Sequence, residues 1–233
     1  MSVKLLALDT SAEQCSVALA AGEQRHLLRS EQNRRHADEV LNMVTALLRD
    51  HDLTLTDLDA LAVTVGPGSF TGLRIGIAVT QGLAYGADLR VIPVSSLAMM
   101  ARAAVLNDPS CQYVVCCVHA REDEYYVALY HDTGAGVPHA LVADRLASSA
   151  HIQALVSDEL PESARKGWLA AGSGWLQPAL TATASNAVAI YGDIATHAGT
   201  VAEIAGTVPS ADWRDAGAIL PVYLKDDMDY RKV

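Results

Sequence analysis

Val3-Lys4-Leu5-Leu6-Ala7-Leu8-Asp9 is an apolar run that ends on a carboxylate, and Cys15-Ser16-Val17-Ala18-Leu19-Ala20-Ala21 is a second apolar run close behind it. Between them lies a polar stretch, Thr10 to Gln14. Short apolar runs bounded by turn residues read as buried strands. Gly22-Glu23 then makes a tight turn, and Arg25 to Ser30 reads as a further strand, completing a meander. The same pattern returns later. Gln112 to Val118 is an apolar strand, Ala120 to Glu124 a polar, acidic turn, and Tyr125 to His131 a strand again. A strand–turn–strand that recurs at similar spacing predicts an internal duplication.

Outward from the first meander, Ala37 to Asp50 reads as a helix. Val40, Leu41, Val44, Leu47 and Leu48 form its apolar face, and Asp38 and Glu39 sit in its first turn, where the helix dipole favours negative charge. Leu61 to Val65 is a strand, Gly66 to Thr71 a glycine-rich loop, Gly72 to Gly86 a helix and Leu89 to Val94 a strand. Ser95 caps a helix that runs to about Leu106. Asn107-Asp108-Pro109-Ser110 breaks this order and marks a boundary between residues 1–107 and 108–233. Gly134 to Gln177 reads as short helices and loops. A helix over Ser185 to Ala205 is expected to pack back on the first lobe. The order implies an α/β protein of the actin-like ATPase (ribonuclease-H-like) fold, with two similar lobes and mixed sheets. In that design a nucleotide sits between the lobes, its phosphates held by the two hairpin turns.

Composition narrows the function. The chain has 233 residues, of which 51% are apolar, with one Phe and a formal charge of −10. It can bury a large core of small aliphatic residues, but its net charge repels phosphate backbones, so any nucleic acid needs a partner to supply positive surface. The four cysteines form no Cys-x-x-Cys pair and read as reduced, buried thiols. No apolar stretch reaches membrane-spanning length and no signal peptide is seen, which suggests a cytoplasmic protein.

Three features carry chemistry or contact. In Asp9-Thr10-Ser11, a carboxylate at a strand end followed by two hydroxyls either holds phosphate oxygens and a hydrated metal or caps its own turn. The loop Gly66-Pro67-Gly68-Ser69-Phe70-Thr71-Gly72-Leu73-Arg74-Ile75-Gly76 follows a strand and opens a helix, so its N–H groups either meet a docked anion or only shape a turn. It is neither a P-loop nor a dinucleotide fingerprint. Asp9, Thr10, Ser11, Gly66, Gly68, Ser69 and Thr71 are therefore the phosphate candidates. The helix Gly72 to Gly86 has few polar positions, and Gly72 and Gly76, then Ala78, Gly82 and Gly86, are small residues four apart. It is either sandwiched within its own domain or open to a second protein. A His-x-x-x-His pair and a Gly-x-Ser-x-Gly elbow are both absent, and no residue set reads as catalytic or metal-binding.

The run Leu6-Ala7-Leu8-Asp9-Thr10-Ser11, the glycine loop and the tail Pro221-Val222-Tyr223-Leu224-Lys225 resemble the TsaB (YeaZ) family. The resemblance implies an actin-like subunit of the machinery that puts threonylcarbamoyl on the adenosine next to the tRNA anticodon. It implies no catalysis by this chain, which would instead pair with a TsaD-like catalytic subunit and be joined by a TsaE-like ATPase. A homodimer is the alternative pairing, and tRNA is met only through the complex. No cofactor is required, with ATP or ADP left for a degenerate or shared site. Carried over by position, the partner contacts are Val40 and Val44 on one helix and Leu73, Arg74, Gly76, Ile77, Gln81 and Gly82 on the other. The family usually has Asp-Ala-Arg where this chain has His119-Ala120-Arg121, so a second phosphate-binding carboxylate is missing. That weakens the rival reading, a stand-alone ATP-dependent phosphotransferase. The glycoprotease label of older usage finds no nucleophile or metal set here.

Overall fold

The opening run forms β1 (Leu5–Asp9), buried along its whole length, with β2 (Ser16–Ala21) antiparallel to it and β3 (Gln24–Arg29) beyond at the sheet edge. This is a computed structural model; it describes residues 3–22, 24–30 and 36–224, so Glu23 and Lys225 of the readings above lie outside the described residues. Helix α1 (His36–Asp50) buries Val40, Met43, Val44, Leu47 and Leu48, the i, i+3, i+4, i+7, i+8 set that shares one face. Leu41, expected among them, is 47% exposed. Each residue turns a helix by about 100°, which takes it off the stripe that Val40 begins.

Strand β4 (Ala60–Gly66) is fully buried and runs parallel to β1. It leads through Pro67–Ser69 into α2 (Phe70–Ala87), and β5 (Arg90–Ser95) then pairs parallel with β4. Helix α3 (Ser96–Asn107) follows, and the Ser95 hydroxyl accepts the N–H groups of Leu97 and Ala98 at 3.1 and 3.3 Å, the cap expected from sequence. The sheet order is β3-β2-β1-β4-β5, mixed in direction, which is the ribonuclease-H-like arrangement. Leu6, Leu8, Val17, Leu19, Leu61 and Val63 share a core with the apolar residues of α1 and α2.

The second sheet repeats this plan. Strands β6 (Tyr113–Arg121) and β7 (Glu124–His131) form a hairpin whose turn places Glu122 at φ 46°, and β8 (His139–Ala147) pairs antiparallel with β7. After α4 (Ser149–Ala154), capped by Ser148, β9 (Leu169–Ala171) lies parallel to β6. The short α5 (Thr181–Ala184) precedes β10 (Ala189–Tyr191), which is parallel to β9. The order β8-β7-β6-β9-β10 matches the first sheet strand for strand. Two strands, β8 and β9, occupy what the sequence presented as helices and loops. Trp168 and Trp175 pack with ring centroids 5.2 Å apart beneath this sheet, and Trp175 Nε1 donates to the Val115 carbonyl at 3.0 Å.

The expected helix over Ser185 to Ala205 does not form. That stretch holds β10, a turn and only then α6 (Ala198–Ala205). The interval 185–197 contains Ser185-Asn186 and Gly192-Asp193, which end a helix rather than extend it. Helix α6 packs on β1, β2 and β4, and the Ala198 N–H donates to the Ser16 hydroxyl at 2.9 Å. By contact the chain divides into two units, one holding the residues up to Met99 with Thr196–Val222, the other Met100–Ala195. The division runs within α3, upstream of the Asn107–Ser110 break.

Candidate functional site

The glycine loop and the β1–β2 turn interlock. Gly66 has φ +113°, a conformation that favours glycine, and a Cβ there would come within 3.0 Å of Leu73 Cδ1. A Cβ on Gly68 would come within 3.0 Å of the Ser11 carbonyl oxygen. Gly72 and Gly76 are tighter still: their missing Cβ atoms would collide with the Thr10 carbonyl oxygen and the Thr10 hydroxyl. Thr10 Oγ1 donates to the Gly72 carbonyl at 2.7 Å, and Ser69 N–H donates to the Ser11 carbonyl at 3.0 Å. Ser69 is also the α2 N-cap, its hydroxyl accepting from Gly72 N–H at 3.3 Å.

This packing sorts the phosphate candidates. Asp9 is 1% exposed, and its Oδ1 accepts both the N–H and the hydroxyl of Ser11, at 3.0 and 2.7 Å. That is an Asx turn, the self-capping alternative. Beside the turn lies a cavity of about 550 Å³ lined by Ser11, Ala12, Glu13, Ser69, Thr71, Gly72 and Ile75. Ser11, Ser69 and Thr71 thus reach open space, and the N-terminus of α2 points its dipole there. Asp9, Thr10, Gly66 and Gly68 do not line it; they build the turn and loop behind it. On β6, His119 Nε2 pairs with the Glu122 carbonyl at 3.0 Å, within its own hairpin.

The partner candidates divide more sharply. Val40, Val44, Leu73 and Ile77 are each less than 5% exposed and belong to the core of the first unit. Gly76 is buried against Thr10. These five, expected from the sequence as partner contacts, lie on the side of each helix that is taken up by the protein's own sheet and turn. Gln81 is half-buried and donates to the carbonyls of Ala216 and Ile219, each at 3.0 Å. Arg74 and Gly82 are exposed, and a Cβ on Gly82 would meet nothing within 4 Å. Ala78 and Gly86 lie exposed on the same helix, with Phe70 56% and Tyr85 70% exposed, and the Arg74 guanidinium stacks over the Phe70 ring at 3.7 Å. Leu41, expected on the buried face, and Tyr85, unremarked in the sequence, are surface residues, because an apolar side chain in an amphipathic pattern reads as core.

Nucleophiles and metal sets are scarce among the described residues. Cys15, Cys111, Cys116 and Cys117 are all buried as thiols. Burial pushes all four thiols up, Cys116 and Cys117 the furthest, so no thiolate is available at neutral pH. No group of three or more His, Cys, Asp or Glu side chains converges on a metal-sized site among the described residues. No helix among them is long and apolar enough to cross a membrane. His197, unremarked in the sequence, caps α6 by accepting from Gly199 N–H at Nδ1, 3.1 Å away. Burial, then the Arg29 charge, hold its imidazole below the usual histidine range.

Residues 29–211 match a family model described as TsaD: tRNA N6-adenosine threonylcarbamoyltransferase. The tRNA threonylcarbamoyladenosine biosynthesis protein TsaB of Haemophilus influenzae is 48% identical over 126 residues, 54% of this chain and 52% of that protein. The protein of the same name from Escherichia coli is 36% identical over 173 residues, 74% of this chain and 72% of its own. The solved structure of YeaZ from Pseudomonas aeruginosa superposes with a TM-score of 0.79 at 33% identity, covering 96% of this chain and all of that one. The match to the whole of a YeaZ chain, with TsaB relatives above 30% identity, means that this chain belongs to the TsaB (YeaZ) family.

Proposed function

We propose that this chain is a non-catalytic subunit in tRNA threonylcarbamoyladenosine biosynthesis, the pathway named for its relatives, and that it works by pairing with a TsaD-like threonylcarbamoyltransferase. One observation carries the reading. Helix α2 buries Leu73, Gly76, Ile77, Thr80 and Ala84 against its own unit, and turns Phe70, Arg74, Ala78, Gly82 and Tyr85 outward. A face of small residues edged by aromatic rings admits a second helix at close range. The lack of a charged thiol, and an Asp9 carboxylate committed to Ser11, argue against peptidase and phosphotransferase chemistry by this chain. On this reading a nucleotide, a TsaE-like ATPase and tRNA are met in the assembled complex, where the partner supplies positive charge that a chain of formal charge −10 lacks.

Reconstitution tests it. Purified TsaD-like subunit, the ATPase, threonylcarbamoyl-AMP and tRNA should yield modified adenosine only when this chain is added, and this chain alone should yield none. Product formed by the lone chain, or undiminished product without it, would falsify the proposal. Mass measurement of the mixture separates the heterodimer from a homodimer using the same face.

A further inference from the structure

The Thr10 side chain joins the β1–β2 turn to the start of α2. Thr10 is 1% exposed and donates its hydroxyl to the Gly72 carbonyl at 2.7 Å. The bare Cα atoms of Gly72 and Gly76 leave the space that its carbonyl and its hydroxyl fill. Ser11 repeats the link one residue on through Ser69 N–H, and Asp9 holds Ser11 in place. Leu73 and Ile77, buried on the same end of the helix, pack through apolar contacts, which carry little directional information.

We propose that Thr10 is a positioning residue for the outward face of α2, an inference that rests on that face meeting the partner. A directional hydrogen bond with a glycine on either side admits one rotation and one height of the helix on its sheet. The helix then acts as a lever. Gly82 lies about 15 Å along the axis from Gly72, so a tilt of about 4° at the Thr10 end moves it by about 1 Å. A displacement of that size spoils close helix–helix packing. The hydroxyl that looked like a phosphate ligand in the sequence therefore sets where Arg74, Ala78 and Gly82 stand.

The test compares Thr10→Val, which keeps the shape and loses the donor, with Thr10→Ser, which keeps the donor. Ser16→Ala serves as the control, since it removes a buried hydrogen bond to Ala198 N–H elsewhere in the same unit. Affinity for the purified TsaD-like subunit is measured by calorimetry beside urea unfolding of each variant. Thr10→Val should weaken binding about tenfold, the loss of one buried hydrogen bond, while Thr10→Ser stays near the parent. Ser16→Ala should lose similar stability and bind normally. Thr10→Cys, a weaker donor, gives an intermediate loss and serves if the valine variant does not fold. Wild-type affinity in folded Thr10→Val, or equal weakening by Ser16→Ala, overturns the role of Thr10. Gly82→Leu separates the two readings. Unchanged binding there overturns the α2 face itself; lost binding there with intact binding in Thr10→Val overturns Thr10 alone.

Discussion

Arg102 and Asp132 face each other at 2.8 Å with side chains 3% and 1% exposed, and the carboxylate also accepts Gly134 N–H at 2.9 Å. Removing the cation alone leaves a buried charge without its partner. Arg102→Ala should therefore cost about 3–5 kcal/mol in a urea titration, whereas a double change to Met and Leu costs far less. His197 acts in the opposite sense. Its folded pKa is depressed, so the unfolded chain binds the proton more readily between the two values. Stability is then complete above the unfolded value of about 6.5 and declines as pH falls from there toward the folded pKa. His197→Asn keeps a capping side chain without the titration and should flatten this decline when urea midpoints are compared from pH 7.5 down to 5. None of these three residues carried a signal in the sequence. A lone Arg, Asp or His has an ordinary surface reading until the fold brings its counterpart to it.

At the scale of elements, α2 shows two kinds of glycine in one repeat. Gly82→Ala meets open space and should raise stability by about 0.5–1 kcal/mol through helix propensity, read as a higher denaturant midpoint. Gly76→Ala drives a Cβ into Thr10 and should lower it by about 1–3 kcal/mol. The spacing of four, which links Gly72 to Gly76 and separately Ala78 to Gly82 and Gly86, does not say which face each series belongs to, because the packing partner of a small residue lies elsewhere in the chain. Strand β8 was hidden for a related reason. Its residues His139 to Asp144 are largely exposed at a sheet edge, so they lack the apolar alternation that announces a strand. The short β9 forms beside the longer β6, and β10 beside β9, and each takes its extended backbone from that pairing.

Over the whole molecule, the four cysteines report on the integrity of both units. The folded protein should be nearly inert to a thiol-reactive dye at pH 7, and four equivalents should react once urea has unfolded it. Fast labelling of the folded protein would contradict buried, protonated thiols. The repetition of sheet order between the units was visible in the sequence as the recurring strand–turn–strand, although of the second sheet only β6 and β7 showed themselves.

The sequence by itself determined that two buried hairpins would seed two related sheets, that Ser95 would cap a helix, and that the glycine loop would join a strand to α2. These follow from hydrophobic period and turn chemistry, which act over a few residues. Only the tertiary structure decided that Thr10 faces Gly72 and Gly76, that Asp9 is held by Ser11 beside a cavity, and that Val40, Val44, Leu73 and Ile77 turn inward while Phe70, Arg74 and Gly82 turn outward. The physical reason is separation along the chain: Thr10 and Gly72 are 62 residues apart, and a contact at that distance is set by how the sheet closes rather than by either segment's own pattern.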